Sequence, residues 1–129
     1  KLFSQITLPL GTAFQIQDDI LDLSGAETAK GRPIGSDIKA GKQTLLIWHA
    51  REHASQAQKR MLKEALGNRL INKETIEIIK EVIVKTGALA YAQKVIAQLI
   101  GQSETAARRA RLPEETGFFL NEIAGQIMK

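Results

Sequence analysis

Phe14-Gln15-Ile16-Gln17-Asp18-Asp19-Ile20-Leu21-Asp22 decides how the rest of this chain is read. The run lies inside an apolar segment, Leu8 to Leu23, whose pattern predicts a largely buried helix over residues 2–23. At helical spacing Asp18 and Asp22 stand one turn apart on a face shared with Gln15, with Asp19 beside them. Ile16, Ile20 and Leu23 fall on another face and anchor the helix in a core. Like charges one turn apart repel, and burial raises the cost. The bland account of such a motif is the wet face of an amphipathic helix. A divalent cation gives another account, because hard carboxylate oxygens suit Mg²⁺, which keeps waters and bridges to substrate phosphates.

The segment that follows separates these accounts. Lys30-Gly31-Arg32-Pro33-Ile34-Gly35-Ser36-Asp37-Ile38-Lys39-Ala40-Gly41-Lys42 holds three glycines, one proline and four cations, so Ser24 to Lys42 is expected to be a loop without a helix of its own. Glycines let backbone approach a ligand, and Lys or Arg suits phosphate oxygens. Carboxylates for a metal, followed by a basic, glycine-containing loop, together predict a diphosphate site.

Downstream the pattern is helical throughout. Thr44 is the expected N-cap of a helix over residues 45–54, opening on Leu45-Leu46-Ile47-Trp48. Residues 55–66 put Ala57, Met61 and Ala65 on one stripe, ended by Gly67-Asn68. Residues 73–86 repeat the pattern with Ile76, Ile79 and Ile83 before Gly87. A long helix over 88–110 places Leu89, Ala92, Ile96 and Leu99 inward, with Gly101 a candidate interruption. Pro113 opens the last helix, with Glu114 and Glu115 at its positive end and Phe119, Ile123 and Ile127 as its stripe. No stretch alternates as a strand does, so the expected class is all-α. His49 and His53 are one turn apart, but no third ligand of matching type is near, and they read as surface histidines.

Composition narrows the function. The formal charge of +4 is modest, and basic residues alternate with acidic ones in the later helices, which argues against a nucleic-acid partner. No apolar run reaches the length of a membrane span, so no stable membrane insertion is expected. The 129 residues hold no cysteine, which excludes disulfide and thiol chemistry and agrees with a cytoplasmic location.

F-Q-I-Q-D-D-I-L-D followed by G-R-P-I-G-S-D-I-K-A-G-K-Q-T-L closely resembles the second aspartate-rich motif of the trans-prenyl diphosphate synthases, the polyprenyl synthetase family of farnesyl, geranylgeranyl and longer-chain synthases. The match runs from Gly11 to Leu45, with a weaker helical likeness to the C-terminus. It departs from the family at Arg32, where lysine is usual, so a planar fork stands for a point charge. Pro9, early in the motif helix, is also atypical. Members of that family are much longer and carry a first aspartate-rich motif upstream. Only one D-D-x-x-D occurs here, so residues 1–129 are expected to be the C-terminal part of a single synthase domain in an isoprenoid-synthase helical bundle, inert on their own.

The resemblance implies head-to-tail prenyl transfer: an allylic prenyl diphosphate ionises, the double bond of isopentenyl diphosphate attacks the cation, and a proton is lost. It implies Mg²⁺ as cofactor and a homodimer at full length. Carried over by residue, Asp18 is the direct metal ligand, with Asp19 and Asp22 acting through metal-bound water. Arg32 and Lys42 hold the allylic diphosphate, with Lys30 an alternative. Gln15 contacts substrate near the diphosphate, and Phe14 walls the isopentenyl group. Asp37 supports the site or forms a turn, and Lys39 is solvated. A non-catalytic subunit or remnant of such a synthase is the alternative.

Overall fold

A computed structural model describes residues 2–24 and 34–128, all of whose regular structure is helical. Seven helices follow in order: α1 Leu2–Ser24, α2 Ser36–Ala40, α3 Leu45–His53, α4 Gln56–Ala65, α5 Lys73–Lys85, α6 Ala88–Ala110 and α7 Glu114–Met128. The chain divides into two compact units, residues 18–92 and residues 1–17 with 93–129.

In the 18–92 unit, side chains at three helix starts satisfy first-turn N–H groups that would otherwise be unpaired. Thr44 Oγ1 accepts from the Ile47 N–H at 3.2 Å. Ser55 and Gln58 form a reciprocal capping box, Ser55 Oγ accepting from the Gln58 N–H and Gln58 Oε1 from the Ser55 N–H. Asn72 Oδ1 accepts from the Thr75 N–H at 2.8 Å. α5 packs on α3 and α4. The core between them includes Leu46, Ile47, Leu62, Ile76, Ile79 and Ile83, all buried. Burying one such side chain stabilises by roughly 1.5–3 kcal/mol, so this cluster holds the unit's helices in register.

In the other unit, Ile6, Leu10, Ala13 and Ile16 of α1, Ile96, Ile100 and Ala106 of α6, and Ala124 and Ile127 of α7 are buried. Ser103 Oγ donates to the Ile6 carbonyl at 2.7 Å, satisfying a hydroxyl that would otherwise be buried without a partner. α1 runs through Pro9 and α6 runs through Gly101 without interruption.

Four sequence expectations are corrected. The segment between α1 and α3 contains a helix, α2, and Ile38 within it is among the most deeply buried side chains. Five residues are too few for periodicity to register, and the flanking glycines read as loop. On α4 the inward residues are Leu62 and Ala65, while Ala57 and Met61 are exposed, because the bulky leucine and not the small alanine directs the helix face. On α6 the expected Ala92 and Ile96 are buried, but Ala88 and Ile100 are buried with them in place of Leu89 and Leu99, which are only half-buried. Ala88 and Ala92 leave no exposed surface at all, as expected where small residues let neighbouring backbone approach. On α7, Phe119 points outward and Ala124 takes its place beside Ile127.

Candidate active site

The C-terminal turns of α1 bring Asp18, Asp19 and Asp22 toward the segment that precedes α3. Asp19 is buried, and its Oδ1 lies 2.9 Å from Lys42 Nζ. Asp37 Oδ2 approaches the same ammonium at 4.0 Å. The hydrogen bond to Asp19 is the main reason that the Lys42 pKa is raised above the ordinary lysine value; partial desolvation opposes it, and the charges of Asp19, Asp37 and Asp18 add to it. Lys42 therefore stays a fixed positive charge at the rim of the motif, with its side chain 42% exposed and able to meet a ligand. Asp18, half-buried, lies one position before Asp19 and one turn before Asp22.

Asp22 is the most enclosed of the three, at 2% exposure. Its Oδ1 accepts from Ser36 Oγ and its Oδ2 from the Asp37 N–H, while its carbonyl accepts from the Gly35 N–H. The loop is held at its far end as well. Gly41 caps α2 in the left-handed region at φ 70°, its N–H donating to the Ile38 carbonyl, which also accepts from the Gly67 N–H. The Lys42 N–H donates to the Asp37 carbonyl at 2.9 Å. The backbone that carries Lys42 is thus tied to both α2 and the turn at Gly67.

Of the sequence-predicted residues, the structure unites Asp19 with Lys42 and sets Asp18 and Asp22 around them. Phe14 and Gln15 are exposed on α1 and belong to the other unit. Lys39 is half-buried rather than solvated. Lys30 and Arg32 lie outside the described residues. Sequence reasoning missed Ser36 as a partner of Asp22; the Ser36-Asp37 pair directly after Gly35 was the available signal, since Ser and Asp gather at helix starts. His49 also departs from expectation. It is half-buried, stacked on His53 at 4.0 Å and on Tyr91 at 4.5 Å between ring centroids, with its Nδ1 buried. Burial, and secondly the neighbouring His53, lower its pKa.

Carboxylate oxygens are the donors that Mg²⁺ prefers. Among the described residues no three His, Cys, Asp or Glu side chains converge into a ready-made cage. Mg²⁺ needs none when one or two carboxylates hold it and substrate phosphates complete its shell. The donor set fits the ion.

A model of the polyprenyl synthetase family matches residues 1–86. The chain belongs to that family. It is 45% identical over 75 residues to a short chain isoprenyl diphosphate synthase of Methanocaldococcus jannaschii, covering 55% of this chain and 23% of that protein. It is 41% identical over 92 residues to a geranylgeranyl diphosphate synthase of Saccharolobus solfataricus, covering 71% of this chain and 27% of that one. Over 94% of its length it matches the crystal structure of geranylgeranyl pyrophosphate synthase from Corynebacterium glutamicum complexed with isoprenyl diphosphate and magnesium, with a TM-score of 0.87, 29% identity and 34% of that chain covered. The likeness of fold therefore continues past residue 86 into α6 and α7. The chain spans about a quarter of the length of these curated relatives. Among the described residues no helix is long and apolar enough to cross a membrane.

Proposed function

We propose that this chain supplies the second aspartate-rich motif and the diphosphate-binding loop of a Mg²⁺-dependent prenyltransferase that condenses isopentenyl diphosphate with an allylic prenyl diphosphate. The observation that carries the reading is the Lys42–Asp19 pair, which joins the acidic helix end and the basic loop across 23 residues of sequence. Family membership supports it, and so do relatives named as isoprenyl and geranylgeranyl diphosphate synthases.

On this reading Asp18 is the direct ligand of Mg²⁺, with Asp19 outside it. An ion held there would supply positive charge to neutralise the diphosphate leaving group. Lys42, held in place by Asp19, offers a preorganised cation to the same diphosphate, and Arg32 offers a second with two parallel donors. Gln15 and Phe14 contact the substrates, as polar group and apolar wall. The 129 residues contain one aspartate-rich motif where the reaction uses two, so alone they transfer no prenyl group. A cytoplasmic homodimer belongs to the same reading and rests on the family resemblance.

The test is Asp18→Ala in the full-length protein. Turnover should fall by several orders of magnitude, and Mg²⁺-dependent binding of the allylic diphosphate should weaken. Near wild-type activity at limiting Mg²⁺ would refute the assignment.

A further inference from the structure

The D-D-x-x-D spacing by itself groups Asp22 with Asp18 and Asp19 as part of one metal-facing set. Its hydrogen bonds give it a different role. We propose that Asp22 is a positioning residue, the external N-cap of α2, which acts on the diphosphate through the placement of Lys42 and not through a cation.

α2 has five residues, and a helix so short does not hold itself together. Its first-turn N–H groups need acceptors, and its N-cap residue, Gly35, has no side chain to give one. Asp22, from another helix, takes that place. The Asp37 N–H donates to its Oδ2 at 3.0 Å, the Ser36 hydroxyl to its Oδ1 at 2.5 Å, and the Gly35 N–H to its carbonyl at 2.8 Å. A carboxylate at a helix N-terminus also meets the positive end of the helix dipole. Burying an unpaired carboxylate is costly, and here both oxygens accept hydrogen bonds from the loop. A cation drawing on Asp22 would have to share oxygens that already accept from α2, and would weaken their hold on its first turn.

The link to Lys42 is short. Asp37, whose N–H is held by Asp22, accepts the Lys42 N–H at its own carbonyl and faces the Lys42 ammonium with its carboxylate at 4.0 Å. Moving the start of α2 therefore moves the backbone of the loop cation and one of its counter-charges, the nearer one being Asp19. The last step, from Lys42 to diphosphate, rests on the function proposed above. The cap itself does not.

The experiment compares Asp22→Asn, Asp22→Ala and Asp18→Asn in the full-length protein. Asparagine keeps an acceptor for the Asp37 N–H and removes the charge; alanine removes both. Amide hydrogen exchange without ligand reads the cap, and calorimetry with Mg²⁺ and inorganic diphosphate reads the site. Asp22→Ala should speed exchange across residues 36–42 by about fivefold or more, the usual worth of a cap, and Asp22→Asn by clearly less. Asp18→Asn should raise the Mg²⁺ requirement by about tenfold or more, and Asp22→Asn should fall well short of it. In a Lys42→Met background, Asp22→Ala should add less than about twofold to the loss of diphosphate affinity, because the two act through one group. The proposal is overturned if Asp22→Asn leaves exchange at the wild-type rate yet matches Asp18→Asn in Mg²⁺ requirement, or if Asp22→Ala leaves residues 36–42 protected. Should the wild-type protein bind no diphosphate with Mg²⁺, the proposed function fails and exchange alone decides the cap.

Discussion

Gly35→Ala tests whether the loop is held as rigidly as its contacts indicate. Gly35 sits at φ 85°, in the left-handed region, where a residue with a Cβ is disfavoured by roughly 1–2 kcal/mol. That cost would apply anywhere with this backbone. The second cost is local. A Cβ at Gly35 would lie 2.8 Å from Ile76 Cδ1 and 3.0 Å from its Cγ2. Ile76 is 3% exposed on α5, among the residues that hold α3, α4 and α5 together, so it has little room to give. Overpacking of this kind costs about 1–3 kcal/mol, for a total of roughly 2–5 kcal/mol. Gly67→Ala is the control: its φ is 79°, but nothing lies within 4 Å of the added carbon, so only the backbone cost applies. Urea denaturation of wild type and both variants measures the difference. An Ile76→Val background removes the Cδ1 atom and should recover part of the Gly35→Ala loss, a coupling that strain in the backbone alone would not produce. If Gly35→Ala costs no more than Gly67→Ala, the packing of the loop against α5 is not as described.

At Arg32, replacement by Lys should cost roughly 1 kcal/mol, or a few-fold in rate, through loss of the fork, while replacement by Ala should cost on the order of 2–4 kcal/mol. Steady-state kinetics on Arg32→Ala and Lys30→Ala decide between the two cations, and a more damaging Lys30 change would move the diphosphate contact to Lys30. At His49 the pKa is lowered in the folded state, so the unfolded chain takes up the proton first. The contribution of His49 to stability should be complete above the ordinary histidine value of 6.5 and decline as pH falls through it. Urea midpoints across that range should show the decline, and His49→Phe should flatten it; an unchanged slope in that variant would remove His49 as the cause.

The starts of α3, α4 and α5 were legible because each rests on neighbours three residues apart. Thr44 with Ile47 and Ser55 with Gln58 are local pairs, and local pairs leave a signature in sequence. The buried faces of the later helices were less legible. Apolar periodicity says that a helix has an inward side, but the partner chooses which of two adjacent stripes it is. On α6 Ala88 is buried and the adjacent Leu89 only half-buried, although a ranking by hydrophobicity sets alanine below leucine. Phe119 makes the same point from outside, exposed at 62% although it is among the most apolar residues of α7. Hydrophobicity measures the gain on burial and not whether a neighbour is there to bury against.

The site divides along the same line. Its composition was legible, because acidic and basic residues lie close together in the chain and their chemistry is complementary. The separate roles of three identical carboxylates were not. Asp19 is defined by Lys42, and Asp22 by Ser36 and Asp37, at separations of 23, 14 and 15 residues. Such pairs obey no helical or strand period, since the intervening chain sets their meeting. The same separation helps to explain why α2 escaped notice: the acceptor of its Asp37 N–H stands on another helix, and its N-cap residue is a glycine that reads only as a turn. A capping residue supplied from a distance satisfies the same donors as a local one, and hydrogen bonding is indifferent to which part of the chain the acceptor comes from. Identity of residue type within a motif is therefore no guide to identity of partner: Asp19 meets Lys42, whereas Asp22 meets Ser36 and the Asp37 N–H.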